Sequence, residues 1–258
     1  MKKPPRHSRG PRFDYSPPLD VVEMYLDQVI AMRGRPALTA PRNGELFAAQ
    51  EKSHRWAKTL LLYMAGDLAL LRSPCVAVVG TREISEEGVR RTRKLAAMLV
   101  QSQITVVSGL AMGVDTEAHS AALAAGGRTI AVIGTPMDRC NPQRNAPIQQ
   151  EIYRQHLLIS QFEWGSTVYP QNFPQRNRTM AAVSDATVII EASDASGTLH
   201  QAVECVNLGR PLFILRSLVN DSSVSWPGRF LRYPTVHVLD DFGLVPSVLG
   251  VHTDAHNG

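Results

Sequence analysis

The sequence predicts an α/β fold built on a doubly wound, mostly parallel sheet with a small N-terminal helical extension. Three observations carry this. Short apolar runs recur at Val76–Val79, Ile104–Val107, Thr129–Ile133, Ala186–Ala192 and Pro211–Leu215. They lack polar alternation, as strands covered on both faces do. The stretch from Ile104 to Gly134 holds two of these runs around a polar turn and the Ala-rich segment Thr116–Ala125. Strand, turn, helix and strand at that spacing form a βαβ unit with parallel strands and a right-handed crossover. Ala lets its helix approach the sheet closely, and Gly126 is a left-handed stop.

In chain order, residues 1–18 are rich in Pro, Arg and Lys without periodicity and read as a flexible basic arm. Residues 19–58 read as the helical extension. Apolar residues at Val22, Tyr25, Leu26, Val29 and Ile30 predict a helix over Leu19–Met32. After breaks at Gly34, Pro36 and Pro41, Asn43 is placed to cap a second helix from Glu45 to about Lys58. Period alone would carry that helix through Leu60–Tyr63.

The α/β body spans 59–245. Ser85-Glu86-Glu87 is a helix start, with a capping hydroxyl and acids in the first turn. That helix runs to about Gln101, with Val89, Thr92, Ala96 and Leu99 inward. Beyond the βαβ unit come a loop over Asp138–Pro147, a helix at Ile148–Arg154 and a strand at Leu157–Ser160. Gln161–Pro174 is a long aromatic-rich loop, of a length that is usually functional. Arg176–Ser184 reads as a short helix. Gly197–Leu208 is another, with Leu199, Ala202, Val203 and Val206 inward. Thr235–Leu239 is an edge strand, and 246–258 a disordered tail.

Composition narrows the function classes. A 44% hydrophobic content supports a large core. Cys75, Cys140 and Cys205 are odd in number and widely spaced, which suits a reducing compartment and offers no disulfide framework or zinc site. No apolar run approaches the ~20 residues of a membrane span. The N-terminus has charge without a hydrophobic signal region. A cytoplasmic protein is expected. The net charge is +4. Through Cys75 there are 12 Lys and Arg against 7 Asp and Glu; the remainder holds 15 against 16. The basic excess therefore leads the chain, and an anion site in the body needs locally clustered arginines.

Four strand ends share one design: Gly80-Thr81-Arg82, Ser108-Gly109, Gly134-Thr135 and Ser196-Gly197-Thr198. In an open parallel sheet, ligands bind outside the carboxyl ends of strands. Free N–H groups and helix N-termini make that edge an anion site. There is no G-x-G-x-x-G and no P-loop motif, and an ordinary dinucleotide cofactor is not expected. Arg82, directly after the first strand of the body, reads as an anion clamp. Phe173-Pro174-Gln175-Arg176-Asn177-Arg178, preceded by Trp164 and Tyr169, sets arginine forks beside aromatic faces. Single-stranded nucleic acid is bound by that combination. Asp115 reads as a helix cap and His119 as a packed or surface residue. No catalytic constellation and no metal-ligand spacing is present.

Taken together, several segments resemble the DprA/Smf family (DNA-processing protein A), part of a wider group that includes the LOG phosphoribohydrolases. They are Val76–Arg82, Val107–His119, Thr129–Thr135, Leu158–Ser160, Phe173–Ser184, Val188–Ala192, Ser196–Leu199 and Gly209–Phe213. The resemblance implies an extended Rossmann sheet. It implies single-stranded DNA bound in a basic pocket and passed to a RecA-type recombinase, as in natural transformation, by a homodimer without turnover. Arg82 matches the family's phosphate-contacting arginine, and Ser108, Gly109, Arg176 and Arg178 fall on its pocket-forming motifs. With Gly80, Thr81, Asn177, Gly197 and Thr198 they make up the expected site, and Phe173 is added as a base-stacking candidate. The resemblance also makes Leu61–Tyr63 a strand. It is to a minimal form, since neither the family's N-terminal helix-hairpin-helix module nor its C-terminal winged helix is evident. After Leu215 the family's Pro-Gly and Gly-x-Asn-x-Leu-Ile patterns are missing.

Two other readings stay open. One is a small-nucleotide sensor using the same pocket. The other is a LOG-type hydrolase of nucleoside monophosphates, associated with a P-G-G-x-G-T-x-E-E signature. Here His200 and Gln201 occupy its acidic positions, which removes the general acid/base carboxylates.

Overall fold

The structure, a computed structural model, describes residues 15–34 and 56–251. A nine-stranded sheet runs through it in the order β1-β2-β6-β5-β4-β3-β7-β8-β9. The strands are β1 (Val22–Tyr25), β2 (Leu61–Gly66), β3 (Cys75–Val79), β4 (Thr105–Ser108), β5 (Thr129–Ile133), β6 (Leu157–Ser160), β7 (Ala186–Ile189), β8 (Leu212–Leu215) and β9 (Val236–Leu239). From β3 to β9 all pairings are parallel. β2 lies antiparallel on β6, and β1 antiparallel on β2. Every residue of β3 through β8 is buried, which explains their unbroken apolar sequence.

The helices are α1 (Leu26–Met32), α2 (Glu86–Gln101), α3 (Val114–Ala124), α4 (Ala146–Gln155), α5 (Asn172–Val183), α6 (Thr198–Asn207), α7 (Arg216–Val219), α8 (Trp226–Phe230) and α9 (Leu244–Val248). Residues 56–59 are also helical. Helix α2 starts as expected: the Ser85 hydroxyl accepts the Gly88 N–H at 2.9 Å. Its buried face includes Thr92, Ala96 and Leu99, with Val89 only half-buried. Helix α3 ends with Gly126 at φ +69°. The Gly127 and Gly126 amides donate back to Ala122 and Leu123 at 2.9 Å each, a Schellman closure.

The N-terminal segment departs from its periodicity. The helix expected over Leu19–Met32 is a strand at Val22–Tyr25 followed by a helix from Leu26. Apolar spacing at 22, 25, 26, 29 and 30 fits a helix, yet pairing with Leu61–Met64 supplies a ladder that local spacing cannot reveal. The Leu26 amide closes that ladder on the Leu60 carbonyl at 2.9 Å. The helix period also stops before Leu61, where β2 begins, as the resemblance implied. Asn43 and most of the second helix lie outside the described residues. Residues 15 and 16, assigned to a flexible arm, instead dock on α4. Tyr15 donates to the Met137 carbonyl at 2.8 Å and accepts from Gln149 at 2.7 Å.

Arg33, at the end of α1, fastens this segment to the body. Its Nη2 lies 2.8 Å from both Asp185 carboxylate oxygens, and Asp185 also accepts the Cys75 amide at 2.8 Å. At the other end, α9 includes residue 246, so the boundary expected there falls inside a helix whose Val245 is fully buried. In α6, Gln201 and Cys205 face inward with Ala202 and Val206, while Val203, expected inward, is 44% exposed.

Candidate functional site

The chain steps from β3 through β4 and β5 to β6 on one side, then returns to place β7 on the other side of β3. At such a switch point the connections leave in opposite directions and a crevice opens beyond the strand ends. A cleft of about 860 Å³ lies there, walled by Gly80–Arg82, Tyr169, Phe173, Asn177, Gly197 and Thr198. Seven of the expected site residues and Arg176 thus meet in one place.

The turn after β3 is held from three sides. Thr81 donates its amide to the Glu191 carbonyl at 2.8 Å and accepts the Val114 amide on its own carbonyl at 3.1 Å. Its hydroxyl accepts the Glu83 amide at 3.1 Å. Gly113, at φ +77°, makes this approach possible, since a Cβ there would stand 2.2 Å from the Thr81 carbonyl oxygen. The Thr198 hydroxyl donates to the Gly80 carbonyl at 2.9 Å, and Asn177 Nδ2 to the Gly197 carbonyl at 3.2 Å. These bonds lock the start of α6 to the end of β3 and to α5.

From this rigid turn the exposed Arg82 side chain reaches across the cleft. Its guanidinium carbon stands 5.5 Å from the centroid of the Phe173 ring. Phe173 belongs to the first turn of α5, which begins at Asn172 rather than at the expected Arg176. The ring rests on Gly134, where a Cβ would lie 2.7 Å from its Cδ1. A planar cation over an aromatic face is an attractive pair and a ready platform for a base and its phosphate.

Four expected residues, Ser108, Gly109, Arg176 and Arg178, take other roles. Ser108 is fully buried and donates its hydroxyl to the Val78 carbonyl at 2.7 Å, so it braces β4 against β3. Arg176 is 4% exposed. Its Nη1 donates to the Gly109 carbonyl and, at 2.5 Å, to the Val132 carbonyl, and its Nε donates to Asn177 Oδ1 at 3.0 Å. Nη2 stands 4.0 Å from Asp115. Arg176 is a strut in the cleft floor rather than a grip, and burial draws its pKa down against the pull of Asp115. Gly109 is required beneath it, because a Cβ would lie 1.9 Å from Nη1.

Arg178 points away from the cleft. Its guanidinium lies 4.0 Å from the centroid of Trp56 and its Nε 3.4 Å from Glu204. Residues two apart on a helix project about 200° apart, so Arg176 and Arg178 cannot share one face.

Two residues were not assigned from sequence: Ser193, which lines the cleft, and Glu191, which fixes its rim; His200, named there only for the hydrolase signature, lines the cleft too. Glu191 accepts from the Ser85 hydroxyl at 2.5 Å and from its amide at 3.0 Å. The signal for Glu191 was present as the polar end of an otherwise apolar strand. Tyr169 is half exposed at the rim, whereas Trp164 lines a separate groove with Tyr63 and Phe162.

The titratable groups nearby serve structure. Asp115 sits in the first turn of α3, whose cap is Gly113, not Asp115. Burial raises its pKa and Arg176 opposes that rise. His119 is fully buried with Nδ1 2.7 Å from the Thr129 hydroxyl, which itself donates to the Val106 carbonyl at 2.8 Å. Burial pushes its pKa down to about 3, so the ring is neutral at physiological pH. The Cys140 and Cys205 thiols are both pushed up to about 12 by burial and are poor nucleophiles. Among the described residues no group of three or more His, Cys, Asp or Glu is placed to hold a metal ion.

Comparison with known proteins places the chain in a family. Residues 45–229 match the family model described as DNA recombination-mediator protein A. DNA processing protein DprA of Streptococcus pneumoniae is 39% identical over 162 residues, covering 63% of this chain and 57% of that protein. Protein Smf of Escherichia coli is 31% identical over 193 residues, covering 74% of this chain and 52% of that protein. The chain therefore spans little more than half the length of these relatives. The solved structure of the pneumococcal DprA superposes with a TM-score of 0.61 at 37% identity, over 66% of this chain and 60% of that one. A Helicobacter pylori DNA processing protein A, solved to explain its single-stranded DNA binding mode, superposes with a TM-score of 0.66 at 29% identity. That match covers 74% of this chain and 88% of that one. The extended Rossmann-like sheet is thus shared, and this chain belongs to the DNA recombination-mediator protein A (DprA/Smf) family.

Proposed function

We propose that this protein binds single-stranded DNA in the cleft at the switch point, protects it, and hands it to a RecA-type recombinase during DNA uptake and recombination. It works in the cytoplasm as a homodimer and without catalytic turnover. The observation that carries the binding reading is the Arg82 guanidinium over the Phe173 ring at the open mouth of the cleft. Arginine supplies a phosphate contact and the ring a stacking face that accepts any base. Family membership and the Helicobacter pylori relative support the choice of ligand. The recombinase and the dimer rest on the family alone. Among the described residues no helix is long and apolar enough to cross a membrane.

The chemistry of the cleft favours binding over hydrolysis. At the positions of the LOG carboxylates, His200 is an exposed imidazole and Gln201 is a buried amide bonded to the Thr187 hydroxyl at 3.1 Å. The test is a titration of fluorescent oligo-dT with a mononucleotide competitor. Binding in the micromolar range or tighter, weakened steeply by salt, supports the reading. Salt-insensitive binding displaced by the mononucleotide would favour the nucleotide sensor. Release of free base from a nucleoside monophosphate would favour the hydrolase.

A further inference from the structure

A second groove, of about 450 Å³, adjoins the cleft and shares the walls formed by Ser196 and His200. Its far side carries Arg229, Arg232 and Tyr233, contributed by α8 and the turn after it. Both arginines are exposed. Arg232 lies with its guanidinium carbon 5.2 Å from the centroid of Tyr233 and donates to its hydroxyl at 3.3 Å. The groove thus repeats the chemistry of the cleft mouth, an arginine against an aromatic ring.

One acid lies on the floor. Asp194 accepts the Ser225 amide at 3.0 Å, the Ser225 hydroxyl at 3.1 Å and the Trp226 amide at 2.7 Å. These donors and the nearby Arg229 hold its pKa below the usual carboxylate range. The start of α8 and Arg229 offset its charge, and with two exposed arginines against this one acid the groove stays cationic.

We infer that this groove is a second subsite for the same single strand, in which Arg229 and Arg232 contact phosphates of nucleotides that continue past the Arg82–Phe173 platform. The inference rests on the single-stranded DNA reading of the cleft. Continuity with the cleft and charge complementarity to a polyanion argue for this occupant. A short oligonucleotide is satisfied by the cleft alone, and only a longer one reaches the groove.

The test compares oligo-dT of about four and about twenty nucleotides, lengths that bracket a single site on a nucleic-acid-binding fold. Fluorescence anisotropy is recorded with the unaltered protein, the Arg229→Ala/Arg232→Ala double variant, and a double Lys variant that keeps the charges. Thermal melting checks that the folds agree. The expected result is unchanged affinity for the short oligonucleotide and at least a tenfold loss for the long one with the double Ala variant. The salt slope for the long one should fall by roughly 0.7 per phosphate contact removed. The Lys variant should restore most of that slope. Equal affinity and slope for the long oligonucleotide in all three proteins overturns the inference while leaving the cleft reading intact. An equal loss for both lengths overturns it too. Failure of the unaltered protein to bind either length overturns the cleft reading together with this one.

Discussion

Arg82 and Phe173 are 91 positions apart in sequence, yet the guanidinium of one lies over the ring of the other, 5.5 Å from its centroid. The first residue leaves the turn after β3, and the second sits in the first turn of α5. Their meeting closes one side of the cleft and leaves its mouth open. Arg82 is exposed on a turn held by buried backbone, so its loss should alter binding without altering stability.

Replacing Arg82 with Ala should lower affinity for single-stranded oligo-dT at least tenfold while the thermal midpoint stays unchanged. Arg82→Lys should recover part of the affinity, because a point charge still meets phosphate but lacks the planar face that stacks on Phe173. Anisotropy titrations beside thermal melts separate these effects.

Gly134→Ala should act on binding through Phe173. The added Cβ would stand 2.7 Å from the ring's Cδ1 and must displace it from beneath Arg82. The variant should approach the affinity of Phe173→Ala, a loss of ~1–3 kcal/mol if one base stacks there. An affinity equal to the unaltered protein's would show that the ring's position is immaterial.

Arg176→Met should destabilise the fold instead. It removes donors from the Gly109 and Val132 carbonyls and leaves Asp115 without its cation. Breaking such a buried pair costs about 3–5 kcal/mol. Because burial already raises the Asp115 pKa, the deficit should shrink at acid pH, where the carboxyl takes a proton. Urea unfolding at neutral and acid pH measures both quantities.

His119 gives the fold a pH dependence of definite sign. Its pKa falls from 6.5 to about 3 on folding, so the unfolded chain binds more protons throughout that window. Its contribution to stability is complete above pH 6.5 and is lost as pH falls toward 3, by about 1.4 kcal/mol per pH unit at most. His156, also lowered by burial, acts in the same direction. The decline between pH 6.5 and 5 should be shallower in His119→Gln, by urea unfolding, than in the unaltered protein.

These predictions divide along a line that the sequence only partly reveals. Strands covered on both faces need uniform apolar residues, so Leu157–Ser160 was legible to the residue and Cys75–Val79 to within one. Of the four Gly-bearing strand ends, Gly80-Thr81-Arg82 and Ser196-Gly197-Thr198 line the cleft, whereas Gly109 and Gly134 lie beneath Arg176 and Phe173. An edge strand at Val22–Tyr25 was hidden because its partner, β2, lies some forty positions away and its apolar spacing suits a helix equally well. The two arginines at 176 and 178 looked equivalent as a cluster near the start of a helix. Two apart on one helix, they diverge by helical geometry, one into the floor and the other onto Trp56. Ser108 showed a hydroxyl at a strand end, and only the register of β4 on β3 turns it inward to the Val78 carbonyl.

The most direct test of the central claim is the dissociation constant of a fluorescent oligo-dT measured across a salt series, for the unaltered protein and for Arg82→Ala, with a mononucleotide as competitor. Binding in the micromolar range or tighter, falling steeply with salt, and weakened at least tenfold by Arg82→Ala is the predicted result. Undiminished binding by Arg82→Ala, or complete displacement by the mononucleotide with no dependence on salt, would contradict it.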